Sequence, residues 1–394
     1  MTTESNLELE KGLQKLDTGD YEEACQSFDS YVKSRKPGDK DYANGLFWLG
    51  QAQLKLDDQE GARETLEKAE KEYRKLKNCH EELAGALTRA AEAHSNLDEH
   101  LTADQKLEEA IELARDACGP FSTQVADTIS IHGMSHLKQN LLDSAEKKLS
   151  KAFGLRRGLH GTKHSEIAQS MNQLSAFYSQ SGKFAPAEVM ARQALEMQES
   201  ILGNEHPEYG ATLLNLATVF VKQGRMTKAE PYATEALEVL EARLPDSHSS
   251  HIAALDRLGS VMLSTNKNEE ARDTYNKALL LSQTRWGKDS VHTAASLIGL
   301  GLANLNCGDY RSSEKYLSIA LDLLQHSPEL DSTIEYSLLQ QLACSYVFQL
   351  KLGDAVRLVP DSLRARHTAN FNETIDTLNK VIDFVGSQVE NVRK

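Results

Sequence analysis

Residues 201–244 read ILGNEHPEYGATLLNLATVFVKQGRMTKAEPYATEALEVLEARL and carry the clearest structural pattern in the chain. Leu213, Leu216 and Phe220 recur at the spacing of one helix face, and a second apolar stripe follows the QGR sequence at 223–225. The glycine of QGR marks a turn between the two stripes. The stretch therefore predicts a helix, a tight turn and a second helix.

Small residues stand at fixed offsets in this stretch and recur along the chain. One small position is occupied, in steps that are all 42 residues from residue 103 onward, by Ala24, Ala62, Ala103, Ala145, Ala187, Ala229, Ala271, Ser313 and Ala355. Twelve residues before each of these stands Gly12, Gly50, Ala91, Gly133, Ser175, Ala217, Gly259, Gly301 or Ala343. Because small side chains let two helices approach closely, the pattern predicts an all-α fold, a right-handed α-solenoid of about nine helix pairs with a C-terminal capping helix.

This pattern resembles the 42-residue tetratricopeptide repeat of the kinesin light chain family. Residues 201–244 carry the resemblance most clearly. The sequences RGLHGTKHSEIA at 157–168 and TRWGKDSVHTAA at 284–295 are weaker copies at equivalent positions of their repeats. The resemblance implies a superhelix of helix hairpins that recognises a peptide or protein segment in its concave groove.

Glycine predicts where the helices begin and end. Turn sequences containing glycine precede the expected second helices at Tyr21, Phe184, Met226 and Tyr310. Another set is expected to cap the second helices in the left-handed αL conformation: Gly119, Gly161, Gly203 and Gly287. Pro207 is expected in the first turn of its helix, where the missing N–H costs nothing.

The repeats divide the chain into three expected parts. Residues 1–119 form three acidic N-terminal helix pairs, and residues 120–367 form six regular pairs. Residues 368–394 depart from the repeat and contain Asn370 three residues before Glu373, a capping-box spacing ahead of an apolar stripe. We interpret this segment as a capping helix and tail, with a separate docking helix as the alternative.

Charge and cysteine content exclude several classes of function. Lys and Arg total 44 against 58 Asp and Glu, a net charge of −14, so nucleic acid and anionic membrane surfaces are not expected partners. Residues 1–118 hold 16 basic and 27 acidic side chains, a net −11, so a partner facing them should be basic. The five cysteines form no CxxC pair, and no secretory leader or membrane-length apolar run is evident, so we expect a cytoplasmic protein.

The concave wall of such a solenoid is lined by residues two and three positions before the small residue of each first helix. Two positions before it stand Trp48, Arg89, Ile131, Gln173, Asn215, Arg257, Gly299 and Gln341. We expect Asn172, Gln173, Asn215 and Arg257 to contact a peptide backbone or carboxylate, with Leu214 and Ile298 beside them. A solvated polar helix face is the alternative for this set. Trp48 is either an aromatic anchor or packs against Leu13 and Leu16.

Three histidines form a weak candidate metal site. His132 and His136 are one helical turn apart, and His94 occupies the position of His136 one repeat earlier. Semi-buried histidines without a metal are the more ordinary explanation. The only loop suggestive of a nucleotide, GLGLAN at 299–304, follows no strand and is explained by the repeat.

Taken together, the sequence predicts a non-enzymatic scaffold or adaptor that needs no cofactor and binds a protein or peptide in its groove. The alternative is an assembly protein that acts through self-association, as a homo-oligomer, or through its convex face. A metal-dependent regulator is a third possibility.

Overall fold

The computed structural model describes residues 2–246, 248–325, 332–349 and 351, and every regular element within them is a helix. In chain order these are α1 Thr2–Thr18, α2 Tyr21–Lys33, α3 Lys40–Lys55, α4 Gln59–Lys75, α5 His80–Asn96, α6 His100–Cys118, α7 Thr123–Lys138, α8 Leu142–His160, α9 Ser165–Gln180, α10 Phe184–Leu202, α11 Pro207–Lys222, α12 Met226–Arg243, α13 Ser249–Ser264, α14 Asn268–Trp286, α15 Ala294–Asn306, α16 Tyr310–Gln325 and α17 Ser332–Phe348. A single 3₁₀ turn, Val291–Thr293, leads into α15.

Consecutive helices pack as antiparallel hairpins, and each hairpin is one repeat. Repeat 1 is α1 with α2, repeat 8 is α15 with α16, and α17 is the first helix of repeat 9. The first helices of neighbouring repeats also contact one another, as α5 does with α7 and α7 with α9. The prediction of an all-α solenoid of helix pairs is confirmed.

The chain forms two compact units, Met1–His248 and Ser249–Lys394. The first holds repeats 1 to 6, and the second begins with repeat 7. The predicted boundaries at residues 119 and 367 follow charge and repeat regularity, and they stay predictions. The segment 368–394, predicted to be a capping helix, lies outside the described residues.

The recurring small residues are the contacts between the two helices of each hairpin. All the described residues of the second-helix series are fully buried, from Ala24 to Ser313. A Cβ atom added to Gly50 would lie 2.4 Å from the Leu66 side chain, and one added to Gly301 would lie 2.6 Å from Leu317. Larger residues would therefore force the helices apart, which is the role predicted for these positions.

Helix boundaries follow the predicted turn signals, with one difference at the caps. Helices begin at Tyr21, Phe184, Met226 and Tyr310, and Pro207 lies in the first turn of α11 as expected. The capping glycines have positive φ, but ψ is 163° at Gly119 and 169° at Gly203, which is not the predicted αL conformation. The amide of Gly203 still continues the helical hydrogen bonding to the carbonyl of Glu199. The positive φ with an extended ψ then turns the chain away sharply, a conformation that is essentially restricted to glycine.

Candidate peptide-binding groove

The first helices of repeats 3, 4 and 5 (α5, α7 and α9) line a cavity of about 160 Å³ on one face of the first unit. Four of its lining residues stand at the positions that the sequence assigns to the groove: Arg89, Ser130, Ile131 and Gln173. The first helices contact one another directly, and these contacts bring the four groove positions together. The second helix of each repeat packs behind its first helix. We refer to this space as the groove cavity.

Paired charges form one side of the groove cavity. Arg89 donates to Asp127 at 2.7 Å and to Glu92 at 2.9 Å, and the buried Arg156 also pairs with Asp127. Burial by itself would raise the pKa of Asp127, but the two guanidinium groups outweigh it and hold that pKa below its usual range. Arg156 further donates to the Ser170 hydroxyl at 2.7 Å. Each of these charged groups already has a partner of opposite charge, so they stiffen the wall rather than offer free charge.

Lys138, at the C-terminal end of α7, differs from the other cations of the cavity wall. Its ammonium donates to the Asn96 side-chain oxygen, and among the described residues no carboxylate lies within 4.0 Å of it. The side chain reaches water, yet the protein around it desolvates the ammonium enough to lower its pKa. The repeat pattern does not single out Lys138, because Lys138 lies five residues after the small position Gly133 and not before it.

The predicted polar ladder is brought together in part, and its amides bond to one another. The Asn215 side-chain nitrogen donates to the Asn172 side-chain oxygen at 2.5 Å and to its backbone carbonyl at 3.1 Å. The Gln173 side-chain oxygen accepts from Ser130 at 2.5 Å. These bonds join neighbouring repeats, so part of the hydrogen-bonding capacity expected for a ligand is used within the wall.

The remaining predicted contacts lie on helices that also use them for packing. Leu214 packs with a cluster around Leu213 in repeat 6, and Ile298 packs against the core of the second unit. Trp48 is half-buried, packs with the cluster that includes Leu13 and Leu16, and stacks on Phe28 with ring centroids 6.3 Å apart. Trp48 therefore has the packing role that the sequence offered as the alternative, and an additional anchoring role stays a prediction.

Arg257 belongs to the second unit, where it follows Asp256 on α13. Burial raises the pKa of Asp256 to about 6, although the Ser296 hydroxyl donates to its carboxylate at 2.9 Å and Arg257 lies nearby. The carboxyl group is thus poorly stabilised in its charged form.

Repeats 1 and 2 contact repeat 6, a feature that no local pattern predicts. The Lys55 ammonium, at the end of α3, lies 2.7 Å from the Glu208 carboxylate at the start of α11. The Lys55 charge holds the pKa of Glu208 below its usual range. The His206 ring approaches the Asp17 carbonyl at 3.2 Å, and Arg243 lies 3.5 Å from Asp20. We call this set of contacts between repeats 1, 2 and 6 the closing contact.

The histidines separate into two groups. His94 is buried, and its ring bonds to Glu99 and lies 3.2 Å from Glu67, so it does not join the predicted trio. His132 and His136 lie beside Asp104 on α6, a carboxylate that the sequence pattern did not single out. Burial lowers the pKa of His132 to about 4, and the Lys148 ammonium adds to the effect. The candidate cluster is therefore Asp104, His132 and His136, with His94 excluded.

No helix in the described part of the chain combines the length and the apolar character that a membrane span requires. No curated protein matches the sequence significantly.

Family models support the repeat assignment over separate stretches of the chain. Models described as Tetratricopeptide repeat match residues 9–76, 167–208, 190–242 and 208–284. A model described as Anaphase-promoting complex subunit 5 matches residues 68–132 and 300–363.

Solved structures show the same fold at low sequence identity. A Rap protein complexed with Competence and Sporulation Factor is 13% identical with a TM-score of 0.58, covering 92% of this chain and 99% of that one. A signal transduction ATPase with a tetratricopeptide repeat sensor from Pyrococcus horikoshii is 16% identical with a TM-score of 0.54. The match covers 91% of this chain and 54% of that one. A Podosopora anserina kinesin light chain structure with nearly identical TPR-like repeats is 15% identical over 52% of this chain and 98% of that one, with a TM-score of 0.42.

The matched family models, the helix pairs and the 42-residue spacing of their contacts agree with one another. The chain is a tetratricopeptide repeat protein.

Proposed function

We propose that this protein is a non-enzymatic scaffold that binds an extended peptide or protein segment in the groove of the first unit. Lys138 in the groove cavity is the observation that carries the proposal. Its ammonium faces an open space beside hydrogen-bonding groups and has no carboxylate partner among the described residues. A carboxylate of the partner, from a side chain or a chain terminus, would complete this arrangement.

The charge distribution constrains the partner further. Residues 1–118 carry a net −11, so the part of a partner facing repeats 1 to 3 should be basic. Lys138 lies beyond them in repeat 4, where an acidic group of the partner is tolerated. Asn172, Gln173 and Asn215 stay predicted contacts in the first unit, as Arg257 and Ile298 do in the second. The Rap protein, whose structure contains a bound factor, has the same fold and provides a precedent for ligand binding.

A peptide library panned on the immobilised full chain tests this proposal. Peptides that are selected should contain an acidic residue or a free C-terminus, and their affinity should be measured by fluorescence anisotropy. The substitution Lys138→Met should weaken binding about tenfold, because it removes one charged hydrogen bond at a solvent-accessible site. Lys147→Met, at an exposed position on α8, is the matched control and should leave the affinity unchanged.

Two results would contradict the groove proposal. One is equal affinity of the wild type and the Lys138→Met variant for every selected peptide. The other is retention of full affinity when Asn215→Ala is combined with Lys138→Met. Circular dichroism of each variant separates loss of binding from loss of folding.

A second candidate function is that of a subunit that docks on a larger assembly. The match of the Anaphase-promoting complex subunit 5 model to residues 68–132 and 300–363 favours it. Light scattering over a range of protein concentrations tests self-association, and native fractionation of a cell extract tests membership of a large complex. Elution of the endogenous protein only at its monomeric mass would remove this candidate.

We further propose a cytoplasmic location, since all five cysteines, which lie within the described residues, are free thiols, as is usual in a reducing compartment.

A further inference from the structure

Asp104, His132 and His136 converge between repeats 3 and 4. Asp104 projects from α6, and the two histidines project from α7 one helical turn apart. One Asp104 carboxylate oxygen lies 3.6 Å from His132 Nε2 and 3.7 Å from His136 Nε2. The two imidazole rings are 4.5 Å apart between centroids. One potential ligand atom from each residue therefore lies within 4.8 Å of the others.

These separations fit a metal ion better than a hydrogen bond. An imidazole donating to a carboxylate would approach to about 2.8 Å, whereas both distances here exceed hydrogen-bond range. A tetrahedral zinc ion with ligand bonds of about 2.0–2.1 Å places its ligand atoms about 3.3 Å apart. We propose that Asp104, His132 and His136 bind a divalent transition-metal ion, with zinc the best match, and leave a fourth coordination position open.

Outer hydrogen bonds orient two of the three side chains, His136 and Asp104, for this role. His136 Nδ1 lies 2.7 Å from the Ser144 hydroxyl, which leaves Nε2 directed at the cluster. Asp104 Oδ2 accepts from Gln139 Nε2 at 3.2 Å, and Oδ1, which faces the histidines, accepts from Gln139 Nε2 at 3.5 Å and from Ser135 Oγ at 3.4 Å. Metal-binding histidines and carboxylates are ordinarily fixed by partners of this kind.

The buried ring of His132 gives a second, independent indication. Its side chain is 4% exposed, and its Nδ1 atom has no hydrogen-bond partner. Its Nε2 atom points toward Asp104 without reaching hydrogen-bond distance. A buried nitrogen without a partner is costly, so hydrogen bonds at Nδ1 do not hold this ring in place, and Nε2 stays available to a metal ion.

The neighbouring charges set how strongly the ion is held. The Lys148 ammonium acts on both histidines and disfavours a cation, whereas Asp104 and Glu108 favour one. The carboxylates of Asp104 and Glu108 outnumber the Lys148 ammonium, so the net charge around the two histidines is negative.

A comparable cluster elsewhere in the first unit serves as a control. His160 Nε2 already bonds to the Glu166 carboxylate at 3.1 Å, and His164 Nδ1 accepts the Glu166 backbone amide at 3.3 Å. The ligand atoms of this cluster are therefore engaged in ordinary hydrogen bonds. The bond between His164 and the Glu166 amide explains why α9 begins there, without a metal ion.

The test uses the full chain after treatment with a chelator, titrated with zinc against a chromophoric indicator. We expect one zinc ion per chain in the wild type and in His160→Gln. Asp104→Asn and His136→Gln should each weaken binding more than about 100-fold, beyond the 10- to 100-fold typical of losing an outer partner. Cobalt(II) should give a visible absorption band in the wild type that both substitutions abolish, and circular dichroism verifies that each variant is folded.

Absence of zinc binding by the wild type would overturn the proposal, as would binding that survives both Asp104→Asn and His136→Gln. Loss of the bound zinc in His160→Gln alone would also overturn it, since it would assign the ion to the other cluster.

Discussion

Acidification should stabilise the helices around Asp256 in the second unit. Burial raises the pKa of this carboxyl group from 3.8 to about 6, against the opposing effects of the Ser296 hydroxyl and Arg257. The folded protein therefore holds the Asp256 proton more tightly than the unfolded chain does. The stabilisation from this proton is complete below pH 3.8 and is lost as the pH rises through about 6. At about 1.36 kcal/mol per pKa unit, the charged carboxylate costs up to about 3 kcal/mol at neutral pH.

The substitution Asp256→Asn removes the titration and keeps a side-chain oxygen that accepts the Ser296 hydrogen bond. We expect the variant to be more stable than the wild type by up to about 3 kcal/mol at pH 7, and equally stable near pH 3.5. Denaturant unfolding of the full chain, followed by hydrogen exchange of peptides from α13 and α15, measures the effect locally. Asp273→Asn, at an exposed carboxylate on α14, is the matched control and should change little. The same pH dependence of stability in Asp256→Asn and wild type would show that Asp256 is not the group that titrates.

Two further predictions concern packing and the closing contact. Gly299→Ala should lower the free energy of unfolding by about 1–3 kcal/mol, because its Cβ atom would lie 2.1 Å from the Tyr275 ring. Gly154→Ala in α8 meets no atom within 4 Å and should raise the free energy of unfolding by about 0.5–1 kcal/mol. Thermal unfolding of both variants checks this, and Tm shifts of the same sign would contradict it. A double-mutant cycle of Lys55→Met and Glu208→Gln should give a coupling of about 0.2–1 kcal/mol that declines with added salt, since the side chains are 43% and 30% exposed. Zero coupling at low salt would show that this ion pair does not stabilise the closing contact.

Much of the fold could be predicted because its determinants are close in sequence. The contact between Gly50 and Leu66 spans one hairpin, and so does the contact between Gly301 and Leu317. Both follow from helix periodicity and the volume of a side chain, which are properties of the local sequence. The same holds for the helix starts at Tyr21 and Met226, which follow directly from glycine turns.

The candidate site was only partly predictable, because its groups come from different repeats. Gln173 lines the groove cavity because its position relative to the small residue fixes the face of α9 on which it lies, and its contact with a ligand stays a prediction. Whether Asn215 is free for a ligand depends on Asn172, 43 residues away, and the two amides bond to each other. The sequence does not predict the role of Lys138, because that role depends on the pairing of the nearby carboxylates with Arg89 and Arg156.

The repeat, the helix hairpins, the small-residue contacts and the acidic character of residues 1–118 all follow from the order of the amino acids. That Asp104 faces His132 and His136 follows from the packing of α6 on α7, and that Lys55 meets Glu208, 153 residues away, follows from the path of the whole first unit. Small rotations between neighbouring repeats add up along a solenoid and set that path. The path of the superhelix, and so the distant residues that it brings together, depends on the sum of many packing contacts rather than on any one motif.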